Sequence, residues 1–264
     1  MSELISIIVN CYNGEKYLKK TLESIQKQIY KNWELIFWDN KSTDNSKEIF
    51  QSFNDPRFKY YYSEKFTSLY KARNLACEKC NGKFIAFLDC DDWWYDDFLS
   101  SRKIFFDDEK YKLSYSNSDI YFEKSNKYEL HTKKKLKSGK IYDFLSRDYL
   151  VRISSLVVRK ESLEEINFFN PDFNIIGDFD AVMKICKNGE AFAIQKTLLC
   201  VRIHGKNFHD ENRQMFFQEY KKWFFSQKND NFFNKNRLYF LRKLIHLYIV
   251  SISPKFLKDL LKKK

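Results

Sequence analysis

The sequence predicts an α/β fold built on a mostly parallel sheet with helices on both faces. Three observations carry that expectation. Short, wholly apolar runs such as LISIIV (4–9), ELIFW (34–38) and FIAFL (84–88) read as strands buried on both faces. Segments of helical apolar spacing alternate with them, the pattern of parallel βαβ units. Six Gly and three Pro in 264 residues disfavour a tightly turned all-β architecture.

The elements follow in order. Asn13-Gly14 breaks the first run, and Tyr17, Leu18, Leu22 and Ile25 then line one face of a helix over 16–28. The second strand, 34–38, ends on Asp39-Asn40, and Ser42-Thr43-Asp44 can cap a helix over 46–53. A third strand over 58–62, a helix over 69–79 and the strand 84–88 complete the alternation. Further on, the pattern predicts a helix over 96–106 and strands over 114–123 and 153–158. The basic stretch 133–137 between those strands reads as a solvated loop. A helix over 178–188 closed by Gly189, short strands over 192–195 and 199–203, and a helical, aromatic, basic segment from about Met215 follow. No internal repeat or low-complexity linker interrupts the chain.

Bulk composition narrows the class. Apolar residues make up 44%, with 26 Phe and 17 Tyr, enough for a sizeable core and against global disorder. The six cysteines are scattered, and Cys77-Glu78-Lys79-Cys80 lacks the second pair a zinc site needs. They read as small apolar residues in a reducing compartment. The first apolar run is too short and lacks the basic lead-in of a signal peptide, and no segment has the apolar length of a membrane span. The expectation is a cytoplasmic protein. Of the net charge of +12, residues 221–264 hold +10, twelve Lys and Arg against Asp230 and Asp259. The charge belongs to the tail.

Chemistry gathers at strand ends. In doubly wound sheets ligands bind outside the carboxyl ends of the strands, and Asn10, Asp39 and Asp89 fall at three such ends. KFIAFLDCDDWW (83–94) ends a buried strand on Asp89, Asp91 and Asp92, which repel one another unless water or a cation screens them. Asp89-x-Asp91 fits three uses. It could hold Mg²⁺ or Mn²⁺ with substrate phosphates, serve as the nucleophile and acid of a dehalogenase-type phosphatase, or cap a helix. The phosphatase wants a small residue and Thr soon after the second Asp, where Asp92-Trp93-Trp94 stands.

Three segments occur in a telling order: SIIVNCYNGEKYLKKTLESIQKQIYKNWELIFWDNKSTDNS (6–46), ARNLACEKCNGKFIAFLDCDD (72–92) and IIGDFDAVMKI (175–185). Together they resemble the inverting GT-A glycosyltransferases of the large family 2 type, over roughly residues 4–205. The resemblance implies a GT-A catalytic domain over 1–205 and a helical extension over 206–264. It implies that Asn10, Tyr12 and Glu15 line a uracil pocket and that Asp39 accepts a hydrogen bond from the base. Asn40 stands where a second Asp is common, and Asn10 where Pro is frequent. Ser42 and Asp44 read as cap residues. Arg73 either contacts the diphosphate or makes a surface ion pair.

The same resemblance gives Asp89 to the ribose and metal shell and Asp91 to the Mn²⁺ or Mg²⁺ itself, with Asp92 capping a helix or orienting its neighbours. Trp93 and Trp94 wall the sugar or acceptor pocket or pack in the core. An inverting transferase needs one base opposite the leaving group, and Asp178 in Gly177-Asp178-Phe179-Asp180 matches the family's place for it. The helix macrodipole favours its ionised form. Asp180 binds acceptor or braces the helix. In CVRIHGKNFH (200–209), His204 stands as a third metal ligand or a diphosphate donor, with Arg202 beside it. The implied activity is transfer from a nucleotide sugar, a UDP-sugar, to a glycan or polyprenyl-linked acceptor in bacterial surface polysaccharide synthesis. A non-catalytic nucleotide-sugar-binding or scaffold subunit of the same fold is the alternative.

The tail supplies one more expectation. Leu238, Leu241, Leu244, Ile245 and Tyr248 form an apolar helical stripe beside Arg242 and Lys243, and Phe256, Leu257, Leu260 and Leu261 repeat the design beside Lys255, Lys258 and Lys262 to Lys264. Basic amphipathic helices of this kind lie on anionic membrane surfaces, here the inner face of the cell membrane. No nucleic-acid motif accompanies the charge, which argues against a nucleic-acid partner.

Overall fold

Strands β1 (Ile5–Cys11) and β2 (Trp33–Asp39) are buried along almost their whole length, as their unbroken apolar runs require. They belong to a computed structural model that describes residues 3–205 and 207–252. With β3 (Phe58–Tyr62) and β4 (Phe84–Phe87) they form a parallel unit in the order β3-β2-β1-β4. The crossovers are α1 (Glu15–Gln26), α2 (Ser46–Gln51) and α3 (Leu69–Cys77). Helix α1 lays Leu18, Leu22 and Ile25, all fully buried, on one side of the sheet. Each such side chain contributes about 1.5–3 kcal/mol. Helix α3 lays Tyr70, Ala72, Ala76 and Cys77 on the other side.

Past β4 the sheet becomes mixed. The next elements are β5 (Trp93–Trp94), α4 (Lys103–Asp107), β6 (Tyr111–Phe122), β7 (Lys127–Leu130), α5 (Tyr142–Arg147) and β8 (Val157–Arg159). Then come α6 (Lys160–Glu165), α7 (Gly177–Asn188) and β9 (Glu190–Ile203). The order continues β4-β8-β6-β9-β5, with β7 on β6. Strand β8 is antiparallel to β4 and β6, β9 is parallel to β6, and β5 is antiparallel to β9.

Several sequence expectations change here. The strand expected over 153–158 is a 3₁₀ turn, Ile153–Ser155, followed by the three residues of β8. The two strands expected over 192–195 and 199–203 are one, β9, whose register against β6 shifts around Asn117. Exposed Gln195 and Lys196 at that irregularity break the apolar pattern and make one strand read as two. Of the helix expected over 96–106, a 3₁₀ turn (Ser100–Arg102) and α4 form, and the two tryptophans just before it join the sheet. In the basic stretch, Lys133 to Lys135 are exposed but Leu136 is buried, its N–H held by Gln195 Oε1 at 3.0 Å. Gly189 does close α7, donating to the Ile185 carbonyl (2.9 Å), but in an extended conformation rather than a left-handed one.

Helices α8 (Phe208–Glu211), α9 (Arg213–Ser226) and α10 (Asn231–Ile252) follow. Tyr220, Trp223 and Phe224 of α9 and Phe233, Phe240, Leu244 and Leu247 of α10 share a core with Phe169, Val182 and Met183. The second apolar and basic repeat expected after Pro254 lies outside the described residues.

Candidate active site

The carboxyl ends of β1, β2 and β4 form one rim. The Asn40 N–H donates to the Cys11 carbonyl (2.8 Å), keeping β2 beside β1 past its end. Both loops leaving the rim turn through positive φ, at Asn13 (54°) and Lys41 (71°). Gly14 follows Asn13 because a Cβ there would stand 2.7 Å from Cys11 Sγ. Asp39 is buried and doubly engaged: Oδ1 accepts the Ser42 N–H (2.7 Å) and Oδ2 the Tyr60 hydroxyl (2.7 Å). The side-chain amide of Asn10 is buried with no hydrogen-bond partner among the described residues. Such a group costs about 1–3 kcal/mol unless a ligand completes it. Tyr12 is exposed, its ring 4.7 Å from that of exposed Phe66. Glu15 Oε2 accepts from the N–H and amide of Asn45 (3.0 and 2.7 Å), while Asp44 accepts from the N–H groups of Glu15 and Ser46, tying two helix starts together.

Beyond β4, Asp89, Asp91 and Asp92 each bring one carboxylate oxygen within 4.8 Å of the others. Asp89 Oδ1 meets the buried Arg73 guanidinium at 2.5 Å. Asp91 Oδ2 meets His204 Nε2 at 3.1 Å. Asp92 is buried, its Oδ2 taking the Ser154 hydroxyl (2.6 Å) and its Oδ1 the Arg202 N–H (3.0 Å). Desolvation raises Asp89 above the ordinary carboxylate range, Asp91 and Asp178 add to it, and Arg73 opposes. Burial raises Asp92 further, with Asp91 and Asp89 adding to the effect. Crowded hard oxygens in a largely enclosed place fit a divalent cation, which would relieve this repulsion. Asp89 and Asp91 are its more accessible donors, their side chains 39% and 25% exposed.

Asp178 is the second residue of α7, and its Oδ1 accepts the Tyr70 hydroxyl at 2.8 Å. Gly177 makes that contact possible, since a Cβ there would fall 2.4 Å from the Tyr70 ring. One turn along α3, Arg73 lies with its charge over the Tyr70 ring, 4.8 Å from the centroid. Burial would weaken the Arg73 charge, but Asp89, Tyr70 and Asp178 together outweigh burial and raise its pKa. One helix thus connects the acidic cluster to Asp178.

A sequence model described as glycosyl transferase family 2 matches residues 6–167. The chain belongs to glycosyl transferase family 2. A UDP-Glc:alpha-D-GlcNAc-diphosphoundecaprenol beta-1,3-glucosyltransferase of Escherichia coli is 38% identical over 122 residues, 46% of this chain and 48% of the relative. The chain therefore spans about half the length of that relative. The putative teichuronic acid biosynthesis glycosyltransferase TuaG of Bacillus subtilis is 26% identical over 190 residues, 70% of this chain and 73% of TuaG. Among solved structures, S. aureus TarS 1–349 in complex with UDP-GlcNAc has a TM-score of 0.70 at 18% identity, covering 94% of this chain and 73% of that one. Mannosyltransferase PcManGT from Pyrobaculum calidifontis, in complex with GDP-Man and Mn²⁺, has a TM-score of 0.69 at 15% identity, covering 100% and 79%. The fold is GT-A, with C-terminal helices.

Within this family 2 chain, the residues expected from sequence fall into two groups. Asn10, Asp39, Asp89 and Asp91 lie at or just past the strand ends, where Arg73 meets Asp89 and His204 meets Asp91. Tyr12 is on the loop after β1, Glu15 opens α1, and Asp178 joins through Tyr70 on the helix of Arg73. Arg73, expected either at a diphosphate or in a surface ion pair, makes an ion pair that is buried rather than at the surface, with NH1 left without a partner among the described residues. Asp92 does not cap a helix but joins the acidic cluster to the end of β9. Asn40 is spent on Thr67, accepting its N–H (3.3 Å) and donating to its carbonyl (2.9 Å).

The weaker candidates lie elsewhere. Asp180, expected to bind acceptor or brace its helix, is 2% exposed and turned into the junction with α9, bonded to Trp223 Nε1 (3.1 Å) and Lys184 (2.7 Å). That placement answers to bracing and leaves no face for an acceptor. Trp93 is buried on β5 with Lys20 Nζ 3.3 Å from its ring centre. Arg202 is held between the Tyr17, Trp93 and Tyr121 rings, its Nε donating to the Asp91 carbonyl (3.1 Å). It braces the acidic loop from behind.

Sequence reading missed Tyr60, Tyr70, Ser154 and Glu219, which hold the expected residues in place. Only Tyr70 carried a local signal, standing three residues before Arg73 on the same helix face.

Proposed function

We propose that this chain transfers a sugar from a nucleotide sugar, a UDP-sugar, to a hydroxyl of a glycan or lipid-linked glycan, with inversion. The observation that carries the reading is the Arg73 and Tyr70 pair on α3, one bonded to Asp89 and the other to Asp178. A diphosphate-binding cluster and a base within reach of one helix are what in-line displacement needs. In this reading Asn10, Tyr12, Glu15 and Asp39 take the nucleoside, and Arg73 the diphosphate. Asp89 and Asp91, with His204 behind Asp91, hold Mn²⁺ or Mg²⁺. The cation, when bound, neutralises charge on the departing diphosphate. Asp178 takes the proton of the acceptor hydroxyl as its oxygen attacks the anomeric carbon and the bond to the diphosphate breaks on the opposite face. Residues 1–205 form the catalytic domain and 206–264 the extension.

The extension is read as a membrane-surface contact at the inner face of the cell membrane. Among the described residues no helix is long and apolar enough to cross a membrane. Helix α10 instead carries two apolar stripes. Leu244, expected with the outer stripe, packs inward with Phe240 and Leu247. Leu238, Leu241, Ile245, Tyr248, Ile249 and Ile252 remain exposed at helical spacing, beside Arg237 and Arg242. Each Lys or Arg near an anionic surface contributes on the order of 1 kcal/mol. Cosedimentation with anionic but not neutral vesicles, weakened by Ile245→Glu, is the expected result; equal binding to both would remove the electrostatic part.

The test of the activity is thermal unfolding with a panel of nucleoside diphosphates, with and without Mn²⁺. UDP should raise the midpoint only with Mn²⁺, and Asp91→Ala should abolish the rise. No rise with any nucleotide would favour a non-catalytic subunit of the same fold.

A further inference from the structure

We infer that Glu219, on the C-terminal helix α9, is a positioning residue for Asp178, so that the extension completes the catalytic site. The inference rests on the reading of Asp178 as the base. Helix α7 begins in the sequence Asn174-Ile175-Ile176-Gly177-Asp178. Its N-cap is Ile176, which has no side-chain oxygen to accept the first N–H groups, a task Ser, Thr, Asn or Asp usually performs. A carboxylate on another helix instead takes the N–H groups that lead up to α7. Glu219 Oε1 accepts the Asn174 N–H (2.7 Å), and Oε2 accepts those of Ile175 (2.9 Å) and Ile176 (3.2 Å). Glu219 is 8% exposed, and a carboxylate accepting N–H groups at the positive end of a helix is favourably placed.

The hold extends to both sides of Asp178. One turn along α9, Trp223 donates Nε1 to Asp180 Oδ1 (3.1 Å), and its ring packs on Phe179 with centroids 4.8 Å apart. Asn174 Oδ1 also accepts the Leu69 N–H (3.0 Å) at the start of α3, the helix that bears Tyr70 and Arg73. The residues before and after Asp178 are thus fixed by α9, while Asp178 itself is turned towards Tyr70. Losing Glu219 would take the acceptor from three N–H groups, one buried and two part-buried, at the point that sets where the base stands. Among the described residues, the strand ends of β1, β2 and β4 make no hydrogen bond with Glu219, which reaches α3 through Asn174.

That asymmetry defines the experiment. Glu219→Gln, Trp223→Phe, Asp178→Asn and the exposed α9 control Lys222→Ala are made in the full chain. Each is assayed for kcat and donor KM, and for the UDP and Mn²⁺ thermal shift. Displacing a base by an ångström lowers turnover on the order of 100-fold. Glu219→Gln should therefore lose tenfold to 100-fold in kcat, with donor KM and the UDP shift unchanged. Trp223→Phe should lose less in the same pattern, and Lys222→Ala nothing. Wild-type kcat in Glu219→Gln while Asp178→Asn is inactive overturns the inference and leaves the base reading standing. Loss of the UDP shift in parallel with kcat would make Glu219 a general prop of the fold and also overturns it. Should Glu219→Gln fail to fold, Trp223→Phe decides: wild-type turnover there overturns the inference. Full transfer by Asp178→Asn overturns the base reading, and the inference with it.

Discussion

Asp89 and Asp178 sit close enough for each to feel the other's charge, yet the chain holds them by different means. Asp89 follows a central strand that is paired with β1 on one side and β8 on the other. Its place follows from the ladder hydrogen bonds and apolar packing of that strand, with Arg73 and Ser154 adding side-chain contacts. Asp178 opens a helix whose first turn is shaped by side chains from α3 and α9, segments 108 residues before it and 41 residues after it. Strand-end placement is built from backbone and is robust. Helix-start placement here is built from a few distant side chains, so it should be the easier of the two to disturb.

The largest expected effect removes charge from the robust side. Asp91→Ala should leave the fold intact and lower transfer on the order of 1000-fold, the scale of losing a principal electrostatic contact to a leaving group. Steady-state rates at saturating Mn²⁺ measure it. A variant within a few fold of wild type would show that Asp91 does not hold the cation.

The next effect probes the far end of the same parallel unit. Glu34 on β2 accepts the Ser6 hydroxyl (2.6 Å), the Asn81 N–H (2.7 Å) and the Lys59 ammonium (2.6 Å), joining β1, β2, β3 and the turn before β4. Burial alone would raise its pKa, but Lys59, Ser6 and Asn81 outweigh burial and hold it at about 2, below the ordinary 4.5. A carboxyl depressed in the folded state stabilises fully above its unfolded value. That contribution is lost as pH falls from about 4.5 towards about 2. Allowing for solvent screening of Lys59, the contribution is about 2 kcal/mol. Wild type should lose that much more stability than Glu34→Gln across this window, read from urea midpoints at each pH. Parallel pH profiles for the two proteins would refute the assignment.

The same contrast explains what could be read from sequence. The parallel unit was legible because each strand is a short apolar run and each crossover helix has one apolar face, so period and burial agree. Its candidate site residues could be named because a strand end is a place that the sequence marks. The mixed half was less so. Gln195 and Lys196 interrupt β9 where its register shifts, and β8 is only three residues long. Ser154, which binds Asp92, lies in a 3₁₀ turn 62 residues away. Nothing near either residue announces the pairing, because the contact is made by the fold. Asp180 shows the limit in the other direction: two residues from Asp178, it left acceptor binding and helix bracing open, and only the fold shows it bonded to Trp223.

The smallest effects separate the two halves most cleanly. Ser154 accepts the Asp89 N–H (3.2 Å) and donates to Asp92 (2.6 Å), so it serves the acidic loop alone. Tyr70 donates to Asp178 (2.8 Å), the proposed base. A hydrogen bond to a charged group contributes about 1.5–3 kcal/mol, so each loss should weaken its own function by roughly tenfold to 100-fold. Ser154→Ala should raise the Mn²⁺ concentration needed for half-maximal rate while leaving kcat at saturating metal near wild type. Tyr70→Phe should do the reverse, lowering kcat with the Mn²⁺ requirement unchanged, because the ring still packs against Gly177. If the two variants shift both quantities together, the acidic loop and the base move as one body. The division drawn between strand-built and side-chain-built halves would then be wrong.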